Sequence, residues 1–190
     1  MTTVDNPSTI PDPSNVSMRP TAMKYGLYGG LVSVVFALIF YVAGVTDPTQ
    51  QGGAGNTIGQ LVGVAVLVAA IIMALKHHKE NELGGYLTMG RSIGLGVLVS
   101  LVMAVIGIIW MFLFFHVIDP GLLDAIKESA YEQALERGTT EEQLEAAQGM
   151  MEFFTSTPFF AMVSLIFSVI IGLIASAIAG AVMKKDPPMI

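Results

Sequence analysis

The sequence predicts an all-α integral membrane protein: four transmembrane helices, with an extracytoplasmic amphipathic helical hairpin between spans three and four. Three observations carry this. Of the 190 residues, 53% are hydrophobic and only 13% charged, whereas a soluble domain carries about 25% charged residues. Mean hydropathy is +0.68. The apolar residues are concentrated in four runs free of Asp, Glu, Lys and Arg, and a strongly acidic stretch separates the last two.

Residues 1–22 open with "MTTVDNPSTIPDPSNVSMRP", rich in Pro, Ser, Thr and Asn. Such a segment buries too little apolar surface to offset its ordering entropy, and a disordered cytoplasmic tail is expected. It lacks the basic start of a signal peptide. The apolar runs cover Tyr25–Val45, Ile58–Leu75, Ile93–Val117 and Phe159–Met183. At about 1.5 Å per residue each can cross a hydrocarbon core of about 30 Å. No proline interrupts them. Isolated strands would leave their backbone unpaired in lipid, and no barrel-like alternation is present. The boundaries that follow are spans one to three over 23–118, the hairpin over 119–157, span four over 158–185 and a short cytoplasmic tail over 186–190.

Orientation is read from Lys and Arg alone. Arg19, Lys24, Lys76, Lys79, Arg91, Lys184 and Lys185 fall on one side, and only Lys127 and Arg137 on the other. Both termini are therefore expected in the cytoplasm.

The stretch "KHHKENELGGYLTMGR", Lys76 to Arg91, reads as the short cytoplasmic loop between spans two and three. Gly84 and Gly85 allow the backbone to reverse. Zinc wants three or four converging ligands, and adjacent helical residues diverge by about 100°. Only His78 and Glu82 have i,i+4 spacing. Solvated positive charge is the better account of this stretch, no metal site is expected, and His77 and His78 should be dispensable for folding.

The stretch from Asp119 to Thr157 carries two amphipathic patterns. Asp119 is the cap candidate for the first helix, with Pro120 at its first position. Leu123, Ile126, Ala130 and Ala134 form its apolar stripe, and Gly138 ends it. The second helix starts at Thr139 or Thr140, each with a capping box to Glu142 or Gln143; Leu144, Ala147, Met151 and Phe154 are its stripe. From Asp119 to Glu152 there are nine acidic and two basic residues, a local charge of −7. Helices that lie on anionic lipid carry the opposite charge. Glu141, Glu142 and Glu145 therefore mark a candidate surface for a cationic or partly apolar partner. The plainer reading is a solvated cap. These glutamates lack the loop order of a calcium site.

In lipid, small residues let helices approach closely. Span four repeats them every four residues at Ser164, Ser168, Gly172, Ser176 and Gly180. Span two has Gly55, Gly59 and Gly63; span one has Gly26 and Gly30; span three has Gly96, Ser100 and Ala104. These ladders predict tight packing, within the chain or with a second copy.

The order of these features resembles the bacterial family known as domain of unknown function 4199. The matching stretches are "KYGLYGGLVS", "GGYLTMG", "IDPG" with its acidic hairpin, and "IASAIAGAVMKKDPP". The resemblance covers about residues 20–188 and implies a four-span inner-membrane protein. It supplies no activity, cofactor or site residue.

Function classes narrow accordingly. The absence of cysteine excludes disulfides and thiolate chemistry. Uncharged spans with small-residue ladders favour a non-catalytic scaffold or accessory subunit that binds lipid and another protein, with no cofactor and no nucleic acid. A small transporter or channel is the alternative, but such pathways need intramembrane ionisable groups, and His116 is the sole candidate. Ser33, Tyr41, Ser100 and Ser164 read as packing or interhelical hydrogen bonds rather than nucleophiles.

Overall fold

The computed structural model of the protein describes residues 15–50 and 53–185. Among these residues the chain is all-helical, without strands. The helices are α1 (Arg19–Val42), α2 (Ala54–His77), α3 (Met89–Leu113), α4 (Leu122–Glu136), α5 (Glu141–Phe154) and α6 (Thr157–Met183). Single π-helical turns extend α2 through His78–Glu82 and α3 through Phe114–Ile118. With these turns included, α1, α2, α3 and α6 are 24 to 30 residues long and apolar enough to cross a membrane.

Their surfaces show which solvent they meet. Only 17–28% of each apolar window is buried within the chain. On α6, Ile166, Ile170, Ile174 and Ile178 are all exposed, while Gly172, Ser176 and Gly180 are buried. Both sets repeat every four residues and are offset by two, about 200° around the helix. The large residues face outward and the small ones inward. That inversion of the soluble pattern suits a hydrocarbon solvent, in which exposing isoleucine costs little.

Two compact units are distinguishable, and the spanning helices contribute to both. The first comprises 15–29, 66–103 and 168–185; the second comprises 30–50, 53–65 and 104–167. In the first unit, Ile71 and Leu75 of α2 pack with Leu83, Leu87, Leu95 and Val99, all fully buried or nearly so. There α3 and α6 meet through small residues. A Cβ added to Gly172 would overlap the Ser100 hydroxyl and stand 2.7 Å from Ser100 Cβ; one added to Gly180 would stand 2.6 Å from Ser92 Cβ. Ser176 faces Gly96 in the same way. The serine hydroxyls are satisfied locally. Ser92 donates to the Thr88 carbonyl (3.0 Å), Ser100 to Gly96 (2.8 Å) and Ser176 to Leu173 (3.1 Å). Ser168 crosses the seam to the Ser100 carbonyl at 3.3 Å.

The other small residues divide. Gly26 lies against Val102 in the first unit, and Gly30 against Ile106 in the second. Gly55 and Gly59 do not serve a helix pair: they sit under the α1–α2 loop, facing the Val45 carbonyl and the Thr46 side chain. Gly63 faces open space and Ser164 is exposed. Among the described residues of the chain no neighbour reaches these two positions, because periodic small residues mark a face without marking where a neighbour meets it.

Several boundaries differ from those expected. The tail expected over 1–22 overlaps α1, and Thr21 and Ala22 are buried. Pro20 fits a first helical turn, where no backbone donor is needed. Residues 1–14, most of that tail, lie outside the described residues, as does the tail over 186–190. The loop expected over 76–91 shrinks to 83–88, because α2 and its π turn run on to Glu82. Gly84 and Gly85 then reverse the chain with φ of +59° and +91°.

In the second unit, Asp119 does not cap α4. That helix starts at Leu122 with Gly121 at its N-cap position and no side-chain cap, while the Asp119 carboxylate accepts a hydrogen bond from the Tyr41 hydroxyl. Tyr41 also packs edge-on against Phe114, with centroids 4.8 Å apart. Gly138 ends α4 at φ +89°. The capping box on α5 is Thr140 with Gln143: the Gln143 amide donates to Thr140 Oγ1 (3.3 Å) and the Thr140 amide to Gln143 Oε1 (3.1 Å). Leu144 is buried. Phe154, expected on the same stripe, is exposed and instead packs against Phe159 at 4.9 Å.

The α1–α2 loop is ordered by Asp47. Its carboxylate accepts from the Thr49 hydroxyl (2.7 Å), the Thr49 amide (3.0 Å) and Gln50 Nε2 (3.0 Å), and the Thr49 carbonyl accepts from Ser129 Oγ of α4 at 2.7 Å. The Thr49 hydroxyl first, then its amide, hold the Asp47 carboxyl below its ordinary value. A depressed pKa contributes stability above the unfolded value and loses it as pH falls through the folded one. The melting-temperature gap between wild type and Asp47→Ala is therefore expected to stay constant from pH 8 to 5 and to close below about pH 4, the ordinary range of Asp. A gap unchanged at pH 3 would contradict this.

The α3–α6 seam yields a second expectation. Gly172→Leu should break the bundle, because leucine holds α3 away and forfeits many contacts of about 0.1–0.2 kcal/mol each. Ile174→Ala, on the exposed face, should cost far less. Size-exclusion profiles after heating in one detergent compare them; a stable Gly172→Leu beside a collapsed Ile174→Ala would reverse the assignment of faces.

Candidate functional site

The first unit holds a polar cluster centred on Glu82. Its cause is local: the π turn closes from the His78 carbonyl to the Leu83 amide at 3.1 Å. Residues five apart then lie on one side, and both histidines reach the same carboxylate. His78 Nδ1 lies 2.6 Å from Glu82 Oε2, and His77 Nε2 lies 3.8 Å from Oε1. The Thr21 hydroxyl donates to Oε1. Arg91, in the first turn of α3, donates to the Val16 carbonyl, and its guanidinium stands 3.4 Å from His78 Nε2. A guanidinium only donates, so the pattern assigns Nε2 as acceptor and places the ring proton on Nδ1, towards Glu82. A neutral imidazole thus bridges a carboxylate and a guanidinium.

This overturns the reading of His78 as a solvated loop residue. It is fully buried. The 100° divergence of adjacent side chains holds for an α-helix, and the π turn together with the two oxygens of Glu82 removes the conflict. Among the described residues no three such donors are placed to share one ion. Neighbouring contacts extend the cluster. Lys79 Nζ donates to the Met183 carbonyl at 2.7 Å, at the end of α6, where a cation is favoured. Leu87 and Lys185 exchange backbone hydrogen bonds of 2.9 and 3.0 Å. Both ring nitrogens of His78 are engaged and the ring is sealed from solvent. The arrangement ties four chain segments together.

Sequence reasoning pairs Glu82 with His78 but gives no sign of Thr21 or Arg91 as members of this cluster. The i,i+4 spacing of His78 and Glu82 was the available signal; Arg91 was read for orientation only.

The second unit holds a groove between α4 and α5, about 410 Å³ in volume. Leu144, Met151 and Tyr131 supply apolar surface, and Glu128, Glu145 and Glu152 supply carboxylates. Of the three glutamates singled out from sequence, only Glu145 lines the groove. Glu141 and Glu142 occupy the first turn of α5, where negative charge complements the helix dipole. The helix-packing residues Gly172, Ser176 and Gly180 belong to the α3–α6 seam.

Four membrane-length helices with apolar outer faces, short connections and a small polar hairpin define a multi-pass, all-helical membrane protein. The chain belongs to the family described as protein of unknown function DUF4199, whose profile matches residues 24–185. No curated protein and no solved structure matches it. The family match includes His78, Glu82 and Arg91 but begins after Thr21 and Val16.

The cluster makes a sharp contrast between two adjacent residues. His78→Ala should lower stability by about 2–4 kcal/mol, because it opens a cavity and removes a donor from a partly buried carboxylate. His77→Ala, whose side chain is 30% exposed, should cost about 1 kcal/mol or less. Thermal unfolding in the same detergent compares them; equal effects would sink the assignment.

Proposed function

We propose that this protein is a non-catalytic scaffold or accessory subunit of a bacterial inner membrane, with both termini in the cytoplasm and the α4–α5 hairpin outside, engaging another protein. The observation that carries this reading is the groove on the hairpin, where an apolar floor meets three carboxylates. Two features support it. His78 bonds to Glu82, and Lys79, Ser92 and Ser100 bond to backbone carbonyls, which suits structural work. The segregation of Lys and Arg supports the orientation.

The chain has no cysteine, so single cysteines report without background. Gln143→Cys is expected to react with an impermeant thiol reagent in intact cells, and Asn81→Cys only after lysis. The reverse pattern overturns the orientation. A photo-crosslinker at Gln148, in the groove wall, is expected to capture one protein at fixed stoichiometry and to lose it in Glu145→Lys/Glu152→Lys. Capture that is absent, or unaffected by the charge reversal, overturns the scaffold role. Ion flux through reconstituted vesicles would point instead to a transporter or channel.

A further inference from the structure

We infer that the α4–α5 groove is a binding site for a basic amphipathic segment of a partner protein, with a Lys or Arg side chain entering between the carboxylates. The inference rests on the scaffold reading and adds the chemistry of the partner.

The groove has the size of a side-chain or small-ligand site, which runs from about 300 to 1,000 Å³. Its floor is ready for an aliphatic stem. Leu144 is 4% exposed, Met151 is half-buried and adaptable, and Tyr131 is 37% exposed. Lys and Arg bury their methylenes on such surfaces while the charged head stays at the rim, and an aromatic face adds cation–π attraction.

The charges at the rim are not neutralised from within. Among the described residues, Glu128 and Glu145 make no hydrogen bond or ion pair, and Glu152 accepts only from the neutral Gln148 amide at 3.3 Å. The one cation lining the groove, Lys127, is turned to Asp124 at 3.3 Å. Three carboxylates border an apolar floor, and a cation seated there would gain counter-charge from them. An anionic lipid surface is excluded by sign. A fully apolar partner would leave the carboxylates without counter-charge. A purely hydrophilic polycation would leave the floor uncovered. The segment that satisfies both is basic and amphipathic.

The test uses the full chain in nanodiscs of zwitterionic phospholipid, with empty discs subtracted. A fluorescent peptide of alternating leucine and lysine pairs is titrated at about 0.1 M salt, where screening over about 10 Å leaves contact pairs intact. Saturable binding is expected, weakened about tenfold by Glu128→Gln/Glu145→Gln/Glu152→Gln, the scale of a few partly exposed charge pairs. Glu141→Gln/Glu142→Gln removes two charges outside the groove, against three within it, and is expected to change binding less than twofold. Tyr131→Ala, which keeps every charge, is expected to weaken it.

Equal losses in the two glutamine variants would show diffuse attraction and overturn the site. Absence of saturable peptide binding overturns it as well. Competition by spermidine at the peptide's own affinity reassigns the groove to small polycations and overturns the peptide. Crosslinked capture in cells with no basic-peptide binding would refute this inference alone; loss of both would refute the scaffold reading with it.

Discussion

In lipid, an apolar side chain gains almost nothing by leaving the acyl chains for another helix, so helix association depends on how closely two backbones can approach. The α3–α6 seam of the first unit rests on that constraint. Gly172, Ser176 and Gly180 of α6 meet Ser92, Gly96 and Ser100 of α3, small against small, and each hydroxyl is already satisfied by a nearby carbonyl. The seam therefore combines dispersion contacts with no unpaired donor among these serines. The large residues excluded from it, Ile166 through Ile178, are left outside, where the solvent accepts them.

The polar cluster works by a different kind of force. The seam is short-ranged and tolerant of sliding along an apolar face, whereas hydrogen bonds to charged groups are directional and fix register. Glu82 accepts from Thr21 of α1 and His78 at the end of α2, and His78 meets Arg91 of α3. Lys79 and the Leu87–Lys185 bridge bring in the end of α6. Four segments are thus pinned at defined positions along their length. One pins faces by shape and the other pins ends by polarity, and the two are complementary because neither alone sets both rotation and height.

The spans were legible because twenty apolar residues without charge admit few other structures. The hairpin was legible in its punctuation: Gly138 at positive φ and Thr140 with Gln143 are local chemistry, decided within four residues. What escaped was non-local or depended on helix type. Glu82 looked like a loop acid because α-helical geometry separates His77 from His78, and nothing in the composition announces a π turn. Asp119 looked like a cap because Pro120 follows it, yet Tyr41, 78 residues earlier, takes its carboxylate. Gly63 and Ser164 fit the periodicity, yet no neighbour within the described chain reaches them. Glu145 was picked out for charge, but its partners in the groove, Glu128 and Tyr131, lie on the other helix of the hairpin.

The ties to Met183 and Lys185 also bear on the order in which the chain is made. Lys79 and Leu87 emerge from the ribosome long before the residues that receive them, about a hundred positions later. Until then the end of α2 holds a lysine facing no carbonyl of α6, and the 83–88 loop lacks its backbone partner. A chain shortened before residue 183 lacks both ties, which leaves the Lys79 ammonium and the Leu87 backbone groups without the partners they have here.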